Sequence, residues 1–526
     1  MTALKQGQVT LGTAYCDPKI GGAGKTNSIQ FGKHRETLLS PSSTTQTHAC
    51  ASENDQWAAR NIASERLPGV LASSFDLLQL HRLNEARYPH FLESTARGGV
   101  QARYDILFAF PGETLILQAD GRLTGVDQIE RKRDKGFLST FDRWWGRAMF
   151  PAPVTMKIGA IPPFTGGWFL YLGYELAREI EPKLNFPTAA NNFPTAFATR
   201  FPAAVIRDHQ SGVVTLVAEA GEGDLLNQME VDLAALAATP PPPFTDAGCL
   251  EGELSEDPPS QHLENLRRCI EYIYAGDVFQ VNLSRAWRGR LADGLSHARL
   301  YDRLRTCNPA PFAGLVTLGD DAIICSSPER LVEVHGRIIQ TRPIAGTRPR
   351  GSSGITDVAL SKELLAHPKE RAEHIMLVDL ERNDISRVCK PGSVRVDEMM
   401  VVESYAHVHH IVSNVRGELA RAVTPGEVVR AVFPGGTITG CPKVRCMEIL
   451  AELEEVGRGP YTGSMGYVNR DGSLDLNILI RTMLRERNAV CLRAGGGIVA
   501  DSDPEKELEE TRDKAKGVVR AMTAGT

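Results

Sequence analysis

The chain has 526 residues, 42% hydrophobic and 23% charged, with a formal net charge of -5 and a pI near 6.3, an ordinary globular composition that can bury a large core. It carries no basic run interleaved with aromatics, no apolar stretch long enough to cross a bilayer and no apolar segment after Lys5, which argues against nucleic acid, membrane and secretion. Its ten cysteines form no CxxC pair, so buried packing roles in a reducing cytoplasm fit better than zinc sites or disulfides.

Residues 1–66 are rich in Thr, Ser, Gly and Gln without hydrophobic periodicity, and are expected to be a disordered extension. Gly21-Gly22-Ala23-Gly24-Lys25-Thr26 imitates part of a phosphate-binding loop. The required earlier glycine is Lys19 and no strand precedes it, so that reading is rejected. Between 67 and 240 the pattern mixes strands and helices. Strands are predicted over 104–110 and 114–118 around Pro111-Gly112-Glu113, and a buried strand or helix start at Gly166–Tyr174. The prolines at 240–243 and 258–259 suit neither a helix interior nor a central strand, so a boundary is expected there, before a second region over 255–526.

Within that second region five features carry chemistry. Pro368 can open a helix on which Glu370 and Glu373 share a face, and Pro504 another on which Glu507 and Glu510 do. Two solvated acidic faces would show the same spacing. If the faces meet, their carboxylates need a cation between them, and Mg²⁺ suits an all-oxygen site. Gly495-Gly496-Gly497 could bring backbone close to an anion, or simply make a turn. A glycine-rich segment from Gly435 to Gly440 leads into a helix expected to have Pro442 at its first position and Val444, Met447, Leu450 and Leu453 on its apolar face. Arg481, in the apolar run Leu479–Met483, is expected on a strand with a carboxylate partner, internal or bound. His407, His409 and His410 alternate across a strand, which excludes a single three-histidine site and leaves His410 as a polar contact.

The order of motifs resembles one family. Asp277–Ser284, Ser327-Pro328-Glu329-Arg330, Pro343–Arg348, Asp379–Asp384, His410–Ser413, Thr439–Lys443 and Glu507–Thr511 with Lys514 together resemble the chorismate-utilising enzymes over residues 255–522. The resemblance implies an α+β fold of two large packed antiparallel β-sheets with helices outside. It implies Mg²⁺ held directly by Glu373 and Glu510, and through water by Glu370 and Glu507. It further implies chorismate carboxylates on Tyr467, Arg481, Gly495, Gly496, Gly497 and Lys514. Glu329 would be the acid for the departing C4 hydroxyl, with His410 and Thr437 at the ring. Water-using relatives carry a lysine base where this chain has Gln280, a group unable to deprotonate water, which favours ammonia from a separate glutamine amidotransferase subunit. Val281-Asn282-Leu283 and Asp379-Leu380-Glu381-Arg382 are similar to the aminodeoxychorismate synthase component I branch. Ala345, where many of that branch carry a lysine, and Thr437 are similar to the anthranilate branch. A catalytically silent scaffold for the amidotransferase is the competing class, against which Glu329, Glu373, Glu510, Arg481 and Lys514 stand intact.

Overall fold

Strand Gly167–Leu172 shows how the chain is built: all six residues are buried, because both faces of its sheet are covered. Trp168, Leu170 and Leu172 pack on one side and Phe169 and Tyr171 on the other, into two separate apolar clusters. The two-residue period of a strand thus distributes one continuous apolar run between an aromatic core and a helix-covered core. Strand Tyr104–Ala109 does the same in the other sheet, with Ile106 and Phe108 in the aromatic core and Leu107 and Ala109 outside it.

The computed structural model describes residues 57–62, 75–96, 102–126, 136–150, 161–244, 248–350, 354–404 and 408–523. Among these, two antiparallel sheets of 12 and 11 strands are present. The first runs in the order Trp57–Ile62, Val214–Glu219, Ala203–Asp208, Tyr104–Ala109, His90–Glu93, Phe312–Leu318, Asp321–Ser327, Thr482–Glu486, Ala489–Ile498, Gln280–Arg290, Ser255–Glu256, with Gly440–Cys441 also on Gln280–Arg290. The second runs Ile344–Pro349, Val408–Glu418, Ile338–Thr341, Arg330–His335, Leu474–Asn477, Ser464–Asn469, Gly167–Leu172, Ala196–Phe201, Thr114–Leu117, Leu123–Thr124, with Arg395–Ser404 beside Val408–Glu418. Phe108, Phe164, Phe169, Phe197 and Phe201 belong to the aromatic core, to which both sheets contribute strands. Helices cover the outer faces, as the family's α+β architecture implies.

Two expectations are corrected. The proline tract does not divide the fold: strands from before and after it share both sheets, and the described residues form one unit. Instead the tract lies on the surface, where Arg82 donates to the Pro242 carbonyl at 2.6 Å and stacks over Phe244. The disordered extension cannot run to residue 66, because Trp57–Ile62 pairs with Val214–Glu219; the rest of 1–66 lies outside the described residues. An edge strand of this kind is held by backbone pairing, which composition does not reveal. The two strands expected around Pro111-Gly112-Glu113 are present, and they belong to different sheets, Tyr104–Ala109 to one and Thr114–Leu117 to the other.

No helix among the described residues is long and apolar enough to cross a membrane. Cys249, Cys269, Cys325, Cys389 and Cys446 are buried free thiols.

Candidate active site

The C-terminal helix Pro504–Met522 opens as its sequence dictates. Pro504 occupies the first turn, and the Asp503 side chain accepts the Lys506 N–H as N-cap. Helical spacing then stacks Glu507, Glu510 and Lys514 on one face. That face lies over Gly496, where an added Cβ would stand 3.3 Å from Glu507 Oε2, 3.6 Å from Glu510 Oε1 and 3.7 Å from Lys514 Nζ. Lys514 pairs with Glu510 at 2.5 Å and donates to the Gly495 carbonyl at 3.0 Å.

The three glycines are not a turn. They lie inside strand Ala489–Ile498, with Gly495, Gly496 and Gly497 opposite Ser284, Leu283 and Asn282. Side chains are excluded by close neighbours: a Cβ on Gly495 would meet the Leu283 carbonyl at 2.4 Å and the Tyr461 hydroxyl at 2.8 Å, and one on Gly497 would meet Gln280 Nε2 at 2.1 Å.

Arg481 precedes strand Thr482–Glu486 rather than lying on a strand, and its backbone is left-handed, with φ 53°. Thr462, across the Thr462 N–H to Leu479 carbonyl bond, is also left-handed at φ 62°. Such strain persists where surrounding structure enforces it, commonly at functional sites. Burial lowers the Arg481 pKa, while Tyr461, Glu329 and Glu510 act to raise it. No carboxylate among the described residues is within ion-pair distance of its guanidinium, so the position suits an incoming carboxylate.

Glu329 stands between strands Asp321–Ser327 and Arg330–His335 and is 6% exposed. Thr437, on the turn Gly436–Ile438, donates to Glu329 Oε1 at 2.7 Å. Burial pushes this carboxyl up to about 7, against the opposing pull of Thr437, Arg481 and Lys514. A carboxylic acid near 7 is suited to donate a proton at neutral pH. His410 is pushed down to about 4, chiefly by burial, and is therefore a neutral imidazole; the Gly346 backbone and Arg481 are among its neighbours.

Helix Pro368–Ser386 lies on strands Val408–Glu418 and Ile344–Pro349, with His374 bonded to the Ser413 hydroxyl at 2.6 Å. Glu370 lies over Gly346, 2.8 Å from where a Cβ would stand, and Glu373 follows on the same helix face. Ala345 is buried beside that glycine and pairs with Ile411. Gln280 opens strand Gln280–Arg290 and lies against Gly497.

Shared neighbours therefore link Glu329, Thr437, His410, Arg481, Lys514, Glu510, Glu507, the glycine strand and Gln280. Among the described residues no three His, Cys, Asp or Glu side chains are grouped at metal-ligating range. Glu507 with Glu510 and Glu370 with Glu373 stand as two pairs on two helices.

Tyr467 is the clear misassignment. Its ring packs on Phe164 and Phe108, with centroids 5.9 and 6.4 Å apart, and it lines a separate cavity of about 680 Å³ with Tyr104, Phe312, Arg330 and Asp475. The tyrosine beside Arg481 and the glycine strand is Tyr461. Residues 464–469 form a strand that carries Tyr467 away, whereas Tyr461 lies in the turn before it. The signal for Tyr461 was the glycine-proline turn Gly459-Pro460 preceding it. Arg481 and Val444 are corrected with it: Arg481 is off the strand, and Val444 is 42% exposed, the buried stripe of helix Lys443–Glu454 being Cys446, Met447, Ile449, Leu450 and Leu453. Pro442 caps that helix instead of occupying its first turn. His409 bonds Ser404 and Asp357 on the other face from His410, as the strand period requires, while His407 lies outside the described residues.

A buried network beneath the site also escaped the sequence. Arg458 donates to Glu454, to the Asn282 carbonyl at 2.6 Å and to the Ile438 carbonyl at 3.2 Å. Glu454 also accepts from Arg493 and Ser284. Burial raises the Glu454 carboxyl, but Arg458 and Arg493 prevail and hold it below the usual range. The network fixes the Gln280 strand and the Thr437 turn relative to each other.

Comparison with known proteins bears on the family and the fold. The profile of a family described as "chorismate binding enzyme" matches residues 119–520. An "anthranilate synthase component I-like protein" of Synechocystis sp. is 44% identical over 70% of this chain and 75% of its own. "Aminodeoxychorismate synthase component 1" of Bacillus subtilis is 39% identical over 88% of this chain and 98% of its own. The crystal structure of anthranilate synthase component I from Streptococcus pneumoniae TIGR4 superposes with a TM-score of 0.68 at 30% identity, covering 80% of this chain and 93% of that one.

Proposed function

This chain belongs to the chorismate-binding enzyme family, and we propose that within it the protein is the large subunit of an aminodeoxychorismate synthase, converting chorismate and ammonia to 4-amino-4-deoxychorismate. A separate glutamine amidotransferase subunit supplies the ammonia. The observation that carries this reading is Glu329: a buried acid at about 7, hydrogen-bonded by Thr437 beside Arg481 and Lys514, in a site where Gln280 stands in place of a base. Hydroxide is a poor leaving group, and Glu329 protonates the C4 oxygen as its bond to the ring breaks. Arg481, Tyr461, Lys514 and the Gly495–Gly497 backbone bind the substrate carboxylates. Neutral His410 and Thr437 orient the ring.

The donor set fits a hard cation, since Glu507 and Glu510 both turn carboxylate oxygens toward the space above Gly496 and Glu370 turns one over Gly346. Glu373 and Glu510 would hold Mg²⁺ directly, with Glu370 and Glu507 through water. Bound there, Mg²⁺ supplies charge that neutralises the anionic substrate and polarises it for loss of hydroxide.

A second reading, anthranilate synthase component I, is favoured by Ala345, which places a methyl group where a lysine nucleophile would stand, and by the Synechocystis relative. Incubation with chorismate, Mg²⁺ and ammonium separates the two. The proposal expects a product that becomes 4-aminobenzoate only when a lyase is added. Direct appearance of fluorescent anthranilate establishes the second reading instead, and chorismate left unconsumed establishes a silent scaffold.

A further inference from the structure

The buried face of helix Pro368–Ser386 runs Leu377, Val378, Glu381, Asp384 and Ile385 at helical spacing, so two acids stand where the pattern calls for apolar residues. Glu381 is as little exposed as Leu377, at 5%. Asp384 is answered by Lys443 at 2.5 Å, and Lys443 also donates to the Val432 carbonyl at 3.3 Å. Among the described residues Glu381 has no lysine or arginine within ion-pair distance. The groups that face it are Asp384 on its own helix, Lys443 from helix Lys443–Glu454, Thr341 from strand Ile338–Thr341, and Glu329. It lies on the turn Gly436–Ile438: a Cβ on Gly436 would stand 3.5 Å from Glu381 Oε1 and 2.4 Å from Leu380 Cδ2, so the bare glycine lets the helix come this close. The next residue of the turn is Thr437, whose hydroxyl holds Glu329 at 2.7 Å. Two successive residues of one short turn thus each carry a buried carboxyl. Burial, Asp384 and the charge on Glu329 push the Glu381 carboxyl well above the usual range, with Lys443 and Thr341 opposing. Ionising both acids would leave two like charges in one dry place, so the pair retains a proton at neutral pH.

We propose that Glu381 is a positioning residue for the general acid: across the Gly436–Ile438 turn it shares one proton with Glu329, and so keeps Glu329 protonated at pH values where, alone, it would be a carboxylate. The inference rests on the reading of Glu329 as the acid and is the same for either amination product. With one proton left on the pair, two arrangements exist, Glu329 protonated with Glu381 ionised and the converse. The first is competent to protonate the leaving hydroxyl. Without a titrating group at 381 that arrangement is lost, and Glu329 ionises as a single acid.

The test is the pH profile of kcat/KM for chorismate consumption by the full chain, with ammonium chloride and Mg²⁺ present. In Glu381→Gln and Glu381→Leu the falling limb should move to lower pH by about half a unit or more, while kcat/KM at pH 6 stays within about threefold of wild type. Glu381→Asp restores a titrating carboxyl and should return the limb toward the wild-type position. Thermal melts at pH 6 establish that each variant is folded. A limb that stays in place, or moves to higher pH, in folded Gln or Leu variants overturns the proposal. So does an equal loss at every pH in the Gln, Leu and Asp variants, which marks a packing role only. If Glu329→Gln keeps wild-type activity, the reading of Glu329 as the acid fails and the inference with it, a result independent of any change at 381.

Discussion

Thr437 donates its hydroxyl hydrogen to Glu329 Oε1 across 2.7 Å, and this bond acts against burial in setting the acidity of Glu329. A general acid works only while protonated, so kcat/KM should fall as pH rises through about 7. The Thr437 bond favours the carboxylate, so Thr437→Val should raise the Glu329 pKa and move the falling limb to higher pH. Profiles of kcat/KM for the two proteins check this; an unmoved limb contradicts it.

Glu329 should also be a stability liability. Its pKa in the folded protein, about 7, lies above the ordinary 4.5, so the folded state binds the proton more tightly than the unfolded chain. The sign follows: folding gains from this group below about 4.5, and that gain is lost as pH rises toward 7. Glu329→Gln, which cannot ionise, should therefore be inactive yet more stable at pH 8, by on the order of 1–3 kcal/mol. Thermal melts at pH 8 and pH 4 should show the advantage shrinking at the lower pH.

The two tyrosines can be told apart. Tyr461→Phe removes a hydroxyl beside Arg481 and Gly495 and should raise the chorismate KM roughly tenfold or more, as for a hydrogen bond to a charged group. Tyr467→Phe, in its separate cavity, should leave that KM within about twofold. Equal effects in the two variants would put the substrate elsewhere.

Glu373→Gln and Glu510→Gln should each abolish turnover. At high Mg²⁺ a residual rate should return first in Glu370→Gln and Glu507→Gln, whose contact with the metal is through water. EDTA should silence the wild type and added Mg²⁺ restore it. Near-normal activity in either Glu373→Gln or Glu510→Gln refutes the metal assignment.

The glycine strand predicts graded effects. Gly495→Ala drives a Cβ to 2.4 Å from the Leu283 carbonyl, a backbone atom that cannot swing away, and should lower thermal stability. Gly496→Ala meets only the ends of Glu507, Glu510 and Lys514 at 3.3–3.7 Å and should leave the melt nearly unchanged while raising the Mg²⁺ concentration needed for half-maximal rate. Melting curves and Mg²⁺ titrations of the two variants distinguish these outcomes.

The sequence by itself determined what depends on neighbours along the chain. Pro368 and Pro504 start their helices where expected, and the paired glutamates share faces because helical spacing is local. The histidine alternation at 409 and 410 was legible in the same way, while the two-sheet family fold and Glu329 as the candidate acid came through the order of motifs. Only the tertiary structure decided what depends on pairing between distant segments. Tyr461 rather than Tyr467 reaches Arg481 because residues 464–469 enter a sheet and take Tyr467 with them. The three glycines are a strand because Gln280–Arg290 pairs with them, and the proline tract separates nothing because strands on both sides of it share the same sheets. Local spacing constrains which side chains point the same way; which hollow they point into is set by hydrogen-bonded register between residues up to hundreds of positions apart.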